Sequence, residues 1–165
     1  MINEYFIQDT KLRLLGEDSP DTLLTRSNIA YWLAESGQAT EAISQFQALL
    51  QDEQHIFGPD HPDVLGTRSN IVSLLAESGQ IDEALSLAHA LLQDQLRVLG
   101  TDHPATLTTR SNIAVWLAQS GQMSEGLSQL KSLIQDQARI LGPDHPDTLG
   151  TQNDINFCRD QLGYQ

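Results

Sequence analysis

The chain is short of positive charge, of aromatic side chains, of cysteine and of long apolar runs. Nine Lys and Arg stand against 22 Asp and Glu, a formal net charge of −13 over 165 residues. Nucleic-acid binders gather Lys and Arg onto phosphates, and a chain this acidic repels them. The same shortage tells against a peripheral membrane role, because anionic leaflets attract basic segments. No apolar run approaches the ~20 residues that span a bilayer. The opening, Met1-Ile2-Asn3-Glu4-Tyr5-Phe6, lacks the basic start and apolar stretch of a secretion signal. One cysteine, Cys158, can close no internal disulfide and build no multi-cysteine zinc site. The expected setting is cytoplasmic, with neither nucleic acid nor membrane as a partner. Apolar residues make up 39% of the chain, too many for a disordered acidic tail and few for a compact globule. That balance fits a slender fold with much surface per residue.

What the sequence does have is a repeat. Gly16, Gly58, Gly100 and Gly142 are spaced by 42 residues, as are Pro20, Pro62, Pro104 and Pro146, and Leu23, Leu65, Leu107 and Leu149. Thr-Arg-Ser-Asn-Ile begins at Thr25, Thr67 and Thr109 and decays to Thr-Gln-Asn-Asp-Ile at Thr151. About 19 of 42 positions are identical across the units 16–57, 58–99 and 100–141, the kind of self-similarity that marks stacked repeat architectures. Each unit reads as two helices. Proline favours the first helical position, which puts Ser19, His61, His103 and His145 at or beside an N-cap. Glycine after Ser36, Ser78 and Ser120 supplies a stop. Leu23, Arg26, Ile29, Ala30 and Leu33 fall on one stripe at helical spacing. The second helix, over roughly 40–57, shows Ala42, Ile43, Phe46, Leu49, Leu50 and Ile56.

The run Ile29-Ala30-x2-Leu33, Gly37, Ala42-x3-Phe46, with its equivalents from Ile71 and Ile113, resembles the tetratricopeptide (TPR) repeat. The 42-residue period, with Gly-Pro-Asp-His-Pro-Asp-x-Leu and Thr-Arg-x-Asn-Ile-Ala, is similar to the kinesin light-chain type and to bacterial repeats arrayed behind signalling NTPases. The resemblance covers essentially the whole chain. It implies an all-α, TPR-like helical-hairpin solenoid, a right-handed superhelix of about eight helices, as a single array over 1–165. Residues 1–15 would be an N-terminal partial repeat, 16–57, 58–99 and 100–141 full repeats, and 142–165 a C-terminal capping helix. Polar outer faces at both ends suit terminal repeats; a complete small protein and a piece of a longer array both remain open.

In such arrays the first helices line a concave groove, so the resemblance places candidate peptide-binding residues opposite the packing stripe. These are Leu24, Ser27, Asn28, Tyr31 and Glu35 in the first unit, and Gly66, Ser69, Asn70, Ser73 and Glu77 in the second. The third unit gives Thr108, Ser111, Asn112, Val115 and Gln119, and the last helix Gly150, Asn153, Asp154, Phe157 and Gln161. Two columns vary most: Tyr/Ser/Val/Phe and Leu/Gly/Thr/Gly. The Ser-Asn ladder can donate to and accept from an extended backbone, or the Asn can tie neighbouring loops. Light-chain repeats usually read Asn-Asn at this pair; here Ser27, Ser69 and Ser111 replace the first Asn and only Asn153 keeps it. The groove carries Glu35, Glu77, Asp154 and Asp160 and no lysine, so a neutral or basic segment is the expected partner rather than the carboxylate terminus that chaperone adaptors clamp.

The remaining constellations have structural readings. His61, His103 and His145 each sit among aspartates, but successive repeats lie roughly 20 Å apart when helices pack at 8–10 Å, so they cannot converge on a metal. His55 and His89 read as surface residues. No phosphate loop, His-Glu-x-x-His or Cys-x-x-Cys occurs, and Asp60 with Asp63 complements a helix dipole. No catalytic residue, metal or cofactor is expected. Trp32, Leu74, Trp116 and Cys158 share a position that reads as an inter-helix core slot, with ligand stacking as the alternative. Arg26, Arg68 and Arg110 lie on the packing stripe and must be paired. Asp18, Asp60 and Asp102 or second-helix carboxylates are the candidates, in a salt bridge repeated between units. Function is expected to be non-enzymatic binding of a peptide or protein segment. The other reading is a regulatory module that self-associates through the array ends or packs against a larger signalling protein of NTPase type.

Overall fold

Proline inside the first turn and glycine just past the last one set the helix boundaries. The computed structural model describes Gly16 and residues 19–163. The expected N-terminal partial repeat over 1–15, and Asp18 as an arginine partner, lie outside the described residues. Seven helices occur among those described: α1 Pro20–Glu35, α2 Ala39–Phe57, α3 Pro62–Glu77, α4 Ile81–Val98, α5 Pro104–Gln119, α6 Met123–Ile140 and α7 Pro146–Gln161. First helices are 16 residues long and second helices 18 or 19. The all-α expectation of paired helices holds, and no strand occurs among the described residues.

Both punctuation marks have a visible cause. The backbone N–H groups of Asp63, Ala105 and Asp147 donate to Nδ1 of His61, His103 and His145 at 3.1–3.2 Å. Each histidine thus satisfies one amide that the helix start leaves unpaired. Ser19 occupies the same N-cap position without a side-chain bond. At the other end Gly37 takes φ +80°, and Gln38 N–H reaches back to the Leu33 carbonyl at 2.9 Å, the reversal that glycine permits at a helix C-terminus.

The chain divides into two compact units, one running to Gly79 and holding α1–α3, the other starting at Gln80 and holding α4–α7. In the first, α2 packs on both α1 and α3. Leu23, Ala30 and Leu33 of α1, Ala42, Phe46 and Leu49 of α2, and Val64, Leu65, Ile71, Val72 and Leu75 of α3 are buried. In the second, α5 packs on α4 and α6, and α6 on α7. Ala114 and Ala118 of α5, Leu127 and Leu130 of α6, and Ile155 and Cys158 of α7 form one buried cluster. Gly126 lies where α6 comes closest to α5: a Cβ there would stand 2.5 Å from the Ala114 carbonyl oxygen.

The structure corrects two expectations. At Arg26 and Arg110 the bridge is not between repeats. Arg26 Nη1 donates to Asp52 Oδ2 at 2.7 Å and Arg110 Nη2 to Asp136 Oδ2 at 2.8 Å. Each pair ties a first helix to the second helix of its own hairpin, because the stripe carrying the arginine faces that helix. Asp102 instead pairs with Arg139, which grips it with both guanidinium Nη atoms at 3.0 and 3.1 Å and also lies 3.6 Å from Asp136. The second correction concerns the shared slot. Leu74 and Cys158 are buried, but Trp32 is 55% exposed. The slot faces the hairpin before it, as the packing of Cys158 on α5 and α6 shows, and no described hairpin precedes α1. Trp32 instead meets Tyr31 edge-on at 5.6 Å. Leu149 is half exposed for the complementary reason: no described second helix follows α7 to cover its stripe, where Asn156, Arg159 and Asp160 are exposed as well.

Candidate interaction groove

Within each unit, the first helices of successive repeats leave a groove with two pockets along it. In the first unit the lower pocket, about 260 Å³, is lined by Leu23, Leu24 and Ser27 of α1 and by Glu53 and Phe57 of α2. Asp63, Gly66, Thr67 and Asn70 of α3 complete it. The upper pocket, about 140 Å³, is lined by Tyr31, Ala34 and Glu35, by Phe46, and by Asn70, Ser73, Leu74 and Glu77. The second unit repeats the plan. A lower pocket of about 230 Å³ lies among Thr108, Ser111, Asn112, Gln137, Asp147, Gly150, Thr151 and Asp154. An upper, more apolar one of about 380 Å³ is lined by Val115, Ala118, Gln119, Met123, Leu130, Asp154, Phe157 and Cys158.

Most of the candidate residues read from the sequence therefore come together. Asn70 in one unit and Asp154 in the other belong to the same repeat column, and each lines both pockets of its groove. The two variable columns supply opposite ends: Leu24, Gly66, Thr108 and Gly150 below, Tyr31, Ser73, Val115 and Phe157 above. Asn28 and Asn153 are exposed and Ser69 is half-buried; none of these three lines the four pockets.

Sequence reasoning missed the floor of the lower pockets. Glu53, Gln95 and Gln137 occupy one column and are 4%, 1% and 2% exposed. Each leaves one side-chain oxygen without a hydrogen-bond partner: Glu53 Oε2, Gln95 Oε1 and Gln137 Oε1. The signal was available, since each lies one helical turn beyond a buried leucine, Leu49, Leu91 or Leu133, and so continues the apolar stripe. Burial pushes the Glu53 carboxyl above its usual value, opposed by a hydrogen bond from Thr67. Burial raises Asp154 in the same way. It also raises the Cys158 thiol, with help from the Asp154 charge, the reverse of the depressed pKa that activates a nucleophilic cysteine. Among the described residues, no three His, Cys, Asp or Glu side chains stand close enough to hold a metal. No described helix is long and apolar enough to cross a membrane.

Stacked two-helix repeats with side-chain-sized pockets between their first helices define a repeat-scaffold protein. The tetratricopeptide repeat family model matches residues 21–88 and 63–135, more than half of the chain. The chain belongs to that family, whose repeats build protein–protein interaction scaffolds. No curated protein matches it by sequence. Its fold is that of solved kinesin light chain-like repeats. A Podosopora anserina protein of nearly identical, kinesin light-chain TPR-like repeats superposes with a TM-score of 0.79 at 21% identity, over 98% of this chain and 77% of the other. A variant of that protein gives 0.81 at the same identity, over 98% and 76%. BtubC (BKLC) of P. vanneervenii gives 0.81 at 13% identity, over 94% of this chain and 62% of that one.

Proposed function

We propose that the chain is a non-enzymatic interaction module that holds a neutral or basic peptide or protein segment in the grooves between successive first helices. The observation that carries this reading is the coincidence of variable columns with pockets. The capping and turn positions and the Thr-Arg-Ser-Asn-Ile run repeat almost unchanged, whereas Leu24/Gly66/Thr108/Gly150 and Tyr31/Ser73/Val115/Phe157 change from unit to unit and line the cavities. A scaffold needs a constant frame; a recognition surface needs different side chains at each step. Acidic groups at the groove, Glu35, Glu77 and Asp154, favour a segment of opposite charge.

The test is affinity capture from the source cell's lysate with the wild-type chain, a Tyr31→Ala/Asn70→Ala variant and a control changed at the exposed Gln47 and Gln51 of α2. All three must first show the same helical spectrum and melting. The groove variant is expected to lose the partner and the α2 control to keep it; loss only with the control would move the site to the second helices. A second reading rests on the exposed Tyr31–Trp32 pair and Phe157, at 52%, 55% and 59%. Apolar side chains so placed could join copies of the chain. That reading requires a mass that rises with concentration and returns to the monomer value with Trp32→Ala.

A further inference from the structure

We infer that the lower pockets are lysine subsites, each taking one ammonium group from the bound segment; this deepens the groove reading and rests on it. The floors of both pockets hold an unmet acceptor. Glu53 is 4% exposed, lines the lower pocket of the first unit, and has no partner for Oε2. A buried carboxylate oxygen without a donor is costly unless a charge-assisted hydrogen bond reaches it. Gln137 stands on the corresponding floor of the second unit, 2% exposed, with Oε1 equally unmet.

Acid and amide also exchange places between the two units. In the first unit the floor is acidic and the shared wall residue is an amide: Glu53 with Asn70. In the second the floor is an amide and the wall is acidic: Gln137 with Asp154. Each pocket thus pairs one carboxylate with one amide across floor and wall and has one aspartate at its rim, Asp63 or Asp147, the second pocket adding the Asn112 amide. Neither has a lysine or arginine in its lining. Two different arrangements reach the same charge and the same donor-seeking chemistry, as a cation-binding pocket requires.

The number of free acceptors selects the cation. Thr67 already bonds the Glu53 carboxylate, leaving a single free oxygen at that floor. A guanidinium fork gains most from two parallel acceptors, whereas an ammonium is a compact point charge served by one strong acceptor with neighbours around it. Ser27 and Asn70 in one pocket, and Ser111 and Asn112 in the other, supply those neighbours. The apolar part of the lining, Leu23, Leu24 and Phe57, suits the methylene stem of lysine.

The experiment is a positional-scanning array of ten-residue peptides, acetylated and amidated so that no terminal charge competes, probed with the full chain. Glu53→Gln and Asp154→Asn are compared with wild type. Gln is the residue the repeat itself places at 95 and 137, so the first variant keeps the packing, and the second is an independent check on the other pocket. Wild type is expected to select lysine over arginine and over methionine at fixed positions. Glu53→Gln should cut the lysine preference at one of them about tenfold, and Asp154→Asn at another, as loss of a partner from a desolvated ion pair does. Peptide selection that Tyr31→Ala/Asn70→Ala abolishes, but that shows no lysine preference, would overturn the subsites and leave the groove reading standing. A lysine preference untouched by both variants would also overturn them, assigning the effect to overall charge. Failure of wild type to select any peptide would overturn both.

Discussion

Gly126 and Gly150 both sit in helix interiors, and the same substitution should have opposite effects at the two. A Cβ at 126 would stand 2.5 Å from the Ala114 carbonyl oxygen and 3.1 Å from the Ala118 nitrogen. Backbone atoms cannot swing aside, so overpacking of about 1–3 kcal/mol outweighs the ~1 kcal/mol of helix propensity that alanine brings. At Gly150 nothing lies within 4 Å, and Gly150→Ala should stabilise by about 0.5–1 kcal/mol. Denaturant melts of the two variants check both signs. Gly126 stands in the column of Ala42 and Ala84, and that a Cβ has no room at 126 shows only in the packing of α6 on α5. Glu53 follows a different logic. Its carboxyl is raised by burial, so the folded state holds its proton more tightly than the unfolded chain. That contribution is present at low pH and is lost as pH rises through the folded value. Glu53→Gln should therefore raise the melting temperature at pH 7, with the gain vanishing below about pH 4.5, where the unfolded carboxyl also carries its proton. A gain unchanged down to pH 3 would show that the group is not strained by burial.

At the scale of the helix, the repeated loop does two jobs. Its histidine caps the helix that follows, so His103→Ala should cost about 1 kcal/mol and His103→Asn, which restores a cap acceptor, should recover most of it. Thermal melts of the pair would separate capping from any other role of the imidazole. The aspartate before that histidine joins the loop to the end of its own second helix through the two-pronged Arg139–Asp102 pair. That arginine holds the Asp102 carboxyl below its usual value. The linkage is in force above the ordinary carboxylate range and fails only as pH falls through the depressed value. In a double-mutant cycle Arg110→Ala and Asp136→Ala should couple by about 0.5–1 kcal/mol, less in high salt, because the pair is partly exposed. Helix boundaries, caps and the need to pair Arg26 and Arg110 were legible in the sequence, since proline, glycine and stripe position have local causes. Which carboxylate answers each arginine was not, because that depends on which helix the stripe faces. The Trp32 slot failed for the same reason: periodicity places a side chain on a face but cannot supply the neighbouring helix that would cover it.

Over the whole molecule, the charge of −13 acts on both stability and binding. Self-repulsion opposes the folded state, so raising salt from about 20 to about 150 mM, where the screening length falls to ~8 Å, should raise the melting temperature modestly. The same salt should weaken capture of a basic segment. A partner held equally well in both would be bound by apolar contacts rather than by the acidic groove. The fold was legible because a 42-residue repeat imposes its pattern three times over, and chance cannot imitate that. The groove was legible only in part. First-helix columns could be listed from spacing, but the pockets owe their floors to Glu53 and Gln137, polar residues continuing an apolar stripe on the other helix of the pair. The most direct test of groove binding is to titrate the captured segment into isotope-labelled protein and follow amide resonances. The expected result is shifts concentrated on α1 and α3 and on α5 and α7, around Ser27, Asn70, Ser111 and Asp154. Shifts confined to the exposed faces of α2, α4 and α6, with those four residues unmoved, would contradict it.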